Sequence, residues 1–233
     1  GTAWDNGNIN FKDTGHAGFT GLITVTISAD NAQPVTLNLE VVDAVNATTA
    51  TSATANNVVL LNDCGLSSLS VSGRYTFYGN GFTATYTGNG QYLNNGLKLG
   101  VVTVAGNGTL DNLRIVAPVY PKAYLYYGST LLGDYVQGGP SSVEGDKTRY
   151  HYQLSAVAVS GNATIDNCYI YGGRNNIFVN TGNVTITDSI LECGTVANVQ
   201  IQSNASHTIT FNNVTTIQKQ VNPTIGDTSK VIL

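Results

Sequence analysis

The chain has no methionine, one tryptophan and three cysteines in 233 residues, and only 10% of its residues are charged. Each scarcity excludes something. The ten lysines and arginines are scattered without a basic run, against 14 acids. A groove for DNA or RNA needs clustered positive charge to displace counterions, so no nucleic-acid partner is expected. Cys64, Cys168 and Cys193 are an odd set with no Cys-x-x-Cys or Cys/His spacing. That argues against a zinc site and against a disulfide scaffold. Buried free thiols are the plain reading, with a Cys168–Cys193 bridge as the alternative. His16, His151 and His207 share no spacing, so no metal or other cofactor is expected. No apolar run approaches the roughly 20 residues that cross a bilayer as a helix. No stretch has the 3.6-residue apolar period of a long helix. The missing methionine, with Gly-Thr-Ala-Trp at the start, suits a processed product or an excised segment.

What is abundant is glycine, at 26 residues, together with asparagine and threonine, while mean hydropathy is +0.01. This balance belongs to turn-rich β structure rather than to disorder. The clearest pattern is a repeat. Val101–Asn112 (VVTVAGNGTLDN), Ala156–Asn167 (AVAVSGNATIDN) and Ile177–Asp188 (IFVNTGNVTITD) share two apolar alternate positions, Gly-Asn, Thr-Ile or Thr-Leu, and an Asx. Val199–Thr210 (VQIQSNASHTIT) is a looser fourth copy. Gly161 to Gly182 spans 21 residues and Gly182 to Asn204 spans 22, the length of one coil of a parallel β-solenoid. Alternation then predicts inward columns Leu110/Ile165/Ile186/Ile209 and Ile115/Ile170/Leu191, with Asn112/Asn167/Asp188 stacked at a bend. An antiparallel sandwich also has short strands, but it gives no reason for the same residue at the same point of successive units.

Before the repeat, residues 1–20 show no period and read as an irregular lead-in or cap. Leu22–Ser28 and Val35–Val42 alternate around an Asp-Asn…Pro turn and predict a strand pair. Asn46–Asn57 contains only Asn, Ala, Thr and Ser, as a linker does. Short β runs follow from Val58. The expected organisation is therefore an N-terminal β-rich cap or arm over 1–57 and a solenoid over 58–233. Asn-x-Ser/Thr triplets begin at Asn46, Asn107, Asn162, Asn183, Asn204 and Asn213, about as many as this composition gives by chance.

The segments GNATIDNCYIYGG and GNVTITDSILECG resemble coils of the right-handed parallel β-helix, the pectin-lyase-like superfamily, well over about 97–220 and weakly over 58–96. The resemblance implies an all-β right-handed parallel β-helix; residues 1–57, with their strand pair, lie outside it, and the residues themselves add an inserted loop. It implies no single activity, because lyases, hydrolases, phage tailspikes and surface adhesins share this fold. The Asp-Asp, Asn-Thr-Asp and Gly-His-Gly signatures of the polygalacturonase branch are absent, and Arg114-Ile115 is followed by Val116 instead of lysine. In the clear coils the acids are Asp111, Asp166, Asp188 and Glu192, which read as bend-stabilising or solvated carboxylates rather than the calcium ligands of pectate lyases.

Between Gly106 and Gly161 lie 55 residues, one coil and about 34 more, so an excursion leaves the solenoid. Residues 116–155 hold seven of the 13 tyrosines. Tyr124, Tyr126, Tyr127, Tyr135, Arg149, Tyr150 and Tyr152 are the ligand-binding candidates, since a tyrosine offers a ring face and a hydroxyl to a sugar. Glu144, Asp146 and His151 are the acid/base candidates of an alternative reading, a carbohydrate-active lyase or hydrolase. A plain hairpin with solvated charges is the structural reading of the same residues. With catalytic signatures missing, the leading expectation is an extracellular or cell-surface protein without enzymatic activity. It would act as an adhesin or filament-forming module that self-associates and has a glycan as a candidate ligand. A phage tailspike-type glycan-binding trimer is the third alternative.

Overall fold

A computed structural model describes residues 2–5, 8–11, 20–88, 100–119, 126–127, 130–131, 154–195, 197–202 and 207–217. The described chain is all β, without a helix. It divides into two compact units, Gly1–Ala44 and Val45–Leu233.

In the first unit Gly21–Ile27 pairs antiparallel with Val35–Val41, as the alternation predicts. Ile23 faces Leu39, and Val25 faces Leu37, while Thr24 donates to the Asn38 side chain on the other face at 3.0 Å. Within the stretch expected to be an irregular lead-in or cap, Thr2–Asp5 pairs antiparallel with Asn8–Phe11. The signal was Asn6-Gly7 between the two runs, a sequence suited to the left-handed dihedrals of a two-residue turn.

In the second unit the chain visits three parallel sheets in rotation. Gly100–Ala105 belongs to a five-stranded sheet, Gly108–Asp111 to a seven-stranded one and Arg114–Val116 to a six-stranded one. The same order recurs for Ser155–Ser160, Ala163–Asp166 and Tyr169–Tyr171, then for Asn175–Thr181, Val184–Thr187 and Ile190–Glu192. Ala197–Ile201, Ile209–Asn212 and Thr215–Ile217 form the last described round. The stretch Asn46–Asn57, whose composition suits a linker, belongs to this unit. Val45–Ala47 pairs parallel with Val58–Leu60, and Ala53 bridges to Val71.

The bends explain the repeated residues. Between the seven- and six-stranded sheets Asn112, Asn167, Asp188 and Asn213 take φ of 50°, 49°, 47° and 54°. Asn and Asp enter this left-handed region more readily than other residues with a side chain. In the first three the N–H then donates one round on: Asn112 to the Asp166 carbonyl, Asn167 to Thr187 and Asp188 to Asn212, at 2.9–3.0 Å. The amide ladder lies at the other bend, after the five-stranded sheet. There Asn162 Nδ2 donates to Asn107 Oδ1 at 3.2 Å, the Asn183 N–H to Asn162 Oδ1 at 3.1 Å, and the Thr208 N–H to Asn183 Oδ1 at 2.9 Å. Glycine precedes each ladder asparagine because successive backbones touch there. A Cβ on Gly182, at φ 87°, would collide with the backbone of Gly161.

Inside, Leu110 aligns with Ile165 and Ile165 with Ile186, while Ile115, Ile170 and Leu191 form a second column. All six are fully buried, each contributing about 2 kcal/mol of apolar burial. The fourth copy departs from the expected register. Phe211, not Ile209, lies beside Ile186, and Ile209 lies beside Val184. Val184 and Ile209 are 25 residues apart, the additional chain falling between Ala197–Ile201 and Ile209–Asn212. A two-residue slip preserves which face each side chain takes, so alternation alone could not reveal it.

The three cysteines are free, so the alternative Cys168–Cys193 bridge is absent. Cys168 donates its thiol to the Asp166 carbonyl at 3.1 Å, and burial pushes its pKa up to about 12. Cys168 and Cys193 should therefore stay unmodified by iodoacetamide in the native protein and react once it is unfolded, as mass spectrometry would show. At the bends, Asn167→Val should destabilise by roughly 2 kcal/mol and Asn167→Gly by much less. Gly182→Ala should cost about 3 kcal/mol or more in denaturant unfolding.

Candidate functional site

Tyr126 and Tyr127 form a short strand paired antiparallel with Thr130–Leu131. The other candidates, Tyr124, Tyr135, Arg149, Tyr150, Tyr152, Glu144, Asp146 and His151, lie outside the described residues. No geometry therefore joins them into a site. Among the described residues no group of three or more His, Cys, Asp or Glu side chains is placed to hold a metal ion.

The described residues bring together a different set, on the outer face of the six-stranded sheet. Period-two alternation sends Ile170 into the core and Tyr169 and Tyr171 outward. Arg114 is the parallel neighbour of Tyr169, and Glu192 that of Tyr171. The Arg114 guanidinium carbon lies 4.8 Å from the centre of the Tyr169 ring, a cation–π contact. On its other side the Tyr169 hydroxyl donates to Glu192 Oε2 at 2.7 Å. The two tyrosine rings stand 6.5 Å apart between centres with planes 17° apart, near parallel. Arg114 is exposed, Tyr169 and Tyr171 are partly exposed, and Glu192 is buried.

Tyr169 is thus gripped from two directions. Desolvation, and then the bond and charge of Glu192, raise its pKa to about 12, with Arg114 opposing them. Its phenol is neutral throughout the ordinary pH range. Glu192 also holds the bend that follows, since its backbone carbonyl accepts from Asn176 Nδ2 at 2.8 Å. The same Asn176 amide donates to the Gly172 carbonyl at 2.9 Å. Asn176 and Asn198 occupy matching positions of successive strands, and Asn198 Oδ1 accepts from the Gly194 N–H at 3.4 Å. These buried amides set the path of the turn between the six- and five-stranded sheets.

The sequence reading assigned Glu192 a structural part and overlooked both tyrosines. The available signal was Cys-Tyr-Ile-Tyr, where an inward Ile170 places an aromatic on each side of it facing out. Asp111 and Asp166 are neighbours on the seven-stranded sheet, and Asp188 Oδ1 accepts from Asn213 Nδ2 at 2.6 Å.

The raised pKa of Tyr169 gives a pH dependence with a definite sign. Its folded value lies above the unfolded value of about 10, so its contribution is fully present below pH 10 and is lost as pH rises towards 12. Carbon-13 labelling at tyrosine Cζ should show Tyr169 titrating near pH 12, and Glu192→Gln should move that titration back towards 10. Comparison of the chain with known protein families, with curated proteins and with solved structures finds no match.

Proposed function

We propose that the second unit is a right-handed parallel β-helix of the pectin-lyase-like kind, working outside the cell as a non-enzymatic surface module that adheres and self-assembles. The rotation of strands through three parallel sheets, with bends fixed by Asn and Gly, supports the architecture. The observation that carries the assembly reading is the contrast between the two ends of the stack.

At the first strands small side chains close the core. Ala47 and Ala53 are buried, and Ala50 packs against the cluster. At the last described round the inward positions are exposed: Phe211, stacked on Ile186, keeps 37% of its surface exposed, and Thr216, stacked on the buried Leu191, is exposed as well. Residues 197–217 contain no Lys, Arg, Asp or Glu. Sheet ends are ordinarily guarded against pairing by charge, proline or bulges. This one carries an apolar interior and an uncharged backbone edge, and a second copy is the partner that satisfies both. Because the opposite end is closed, copies meet tail to tail in a closed two-fold pair, which a surface module can use as its structural unit.

Light scattering coupled to size-exclusion chromatography should show a dimer of the full chain at micromolar concentration. Thr216→Lys places a charge at the exposed inward position over Leu191, and it should shift the protein to monomer while leaving its circular dichroism unchanged. A wild-type monomer at high concentration overturns the assembly reading, and a trimer favours a tailspike-like arrangement instead.

A further inference from the structure

We infer that the outer face of the six-stranded sheet, centred on Arg114, Tyr169, Tyr171 and Glu192, is a binding site for an uncharged polysaccharide. The inference gives the adhesive half of the proposed function a ligand class, and it does not depend on self-assembly.

Preorganisation is the first argument. A tyrosine on an open sheet face ordinarily samples several rotamers, and ordering such a side chain on binding costs about 0.5–1.5 kcal/mol. Tyr169 has already met that cost, held by the Arg114 guanidinium at 4.8 Å and by Glu192 Oε2 at 2.7 Å. Tyr171 stands beside it with its ring plane only 17° away. The face therefore presents two near-parallel aromatic side chains in a fixed setting. A pyranose has an apolar C–H face and an equatorial rim of hydroxyls. The rings suit the first, and the phenols and guanidinium suit the second.

Charge selects among ligands. Arg114 and Glu192 are opposite in charge and adjacent to the same ring, so these two described charges offset each other and favour neither a polyanion nor a polycation. Nucleic acid lacks the basic cluster it needs. A peptide lacks its usual anchor as well, because β-augmentation uses an open strand edge. Tyr169–Tyr171 is an interior strand, paired on both sides by Arg114–Val116 and Ile190–Glu192.

Extent is the third argument. The register makes Thr83, Arg114, Tyr169, Ile190 and Thr215 one continuous outward row crossing five strands. Neighbouring strands lie about 4.8 Å apart, so hydroxyl, cation, ring, aliphatic side chain and hydroxyl follow one another along this row at the scale of a sugar residue. A chain-like glycan can follow it, whereas a small ligand would use only its centre.

Affinity gel electrophoresis of the full chain in mannan, xylan, β-glucan and galactan tests the site, with polygalacturonate as the anionic comparison. Retardation by at least one neutral polysaccharide is expected, unchanged when salt is raised. Tyr171→Ala should weaken it about tenfold, equivalent to about 1.4 kcal/mol, and Tyr171→Phe should retain most of it. Circular dichroism of Tyr171→Ala should match wild type, because the side chain points away from the core. The inference is overturned by no retardation in any of the four neutral gels. It is overturned equally by retardation in polygalacturonate alone, or by retardation that Tyr171→Ala and Arg114→Ala leave unchanged. A monomer that is retarded removes the assembly reading and keeps this site, whereas a dimer that none of the gels retards does the reverse.

Discussion

Parallel strands one round apart must superimpose, and the bends between sheets therefore have to repeat their backbone angles in register. In the last four described rounds a single left-handed residue does that work at the turn from the seven- to the six-stranded sheet, at Asn112, Asn167, Asp188 and Asn213. Because the N–H of Asn112, Asn167 and Asp188 is satisfied by a carbonyl of the next round, the bend is both a change of direction and a rung of the stack. The apolar columns follow from it. Ile115, Ile170 and Leu191 lie above one another because the bend before each has the same length and hand. A residue that refused the left-handed region would displace two sheets together.

Much of this was legible in the residues. The inward columns and the Asx bend could be read from the repeat, because period-two alternation and left-handed propensity act locally. The reason for the bend asparagines was not legible. Stacking of their side chains was expected, but the continuous amide ladder runs through Asn107, Asn162 and Asn183 at the neighbouring bend. Both bends end in Asx, and only the spatial path separates a residue chosen for its φ from one chosen for its amide. The slip that brings Phe211 beside Ile186 was hidden because parity is unaffected by two residues. The strand Val45–Ala47 and the buried Ala53 were hidden because a run of Asn, Ala, Thr and Ser looks the same whether solvated or closing a narrow core.

The candidate site was less visible than the scaffold for a related reason. Aromatic richness drew attention to residues 116–155, whereas the described cluster draws its members from three strands, at positions 114, 169, 171 and 192. Outward residues of a solenoid are distant in sequence and adjacent across the sheet, so a site on such a face is written at intervals of one round. Arg114 and Tyr169 are 55 residues apart in the chain, yet they share a cation–π contact.

The ladder asparagines also change what the Asn-x-Thr triplets at Asn107, Asn162 and Asn183 signify. In each, the asparagine is occupied at a bend, and the threonine two residues later falls in one outward column, Thr109/Thr164/Thr185. The triplet is the local imprint of a corner followed by an exposed strand position. The Asn162 amide nitrogen, where a sugar would attach, is the one that donates to Asn107, so at these places the motif is better used as a phase marker. It tells where each circuit of the chain begins, and it offers a way to index circuits in sequences too divergent to align by their apolar residues.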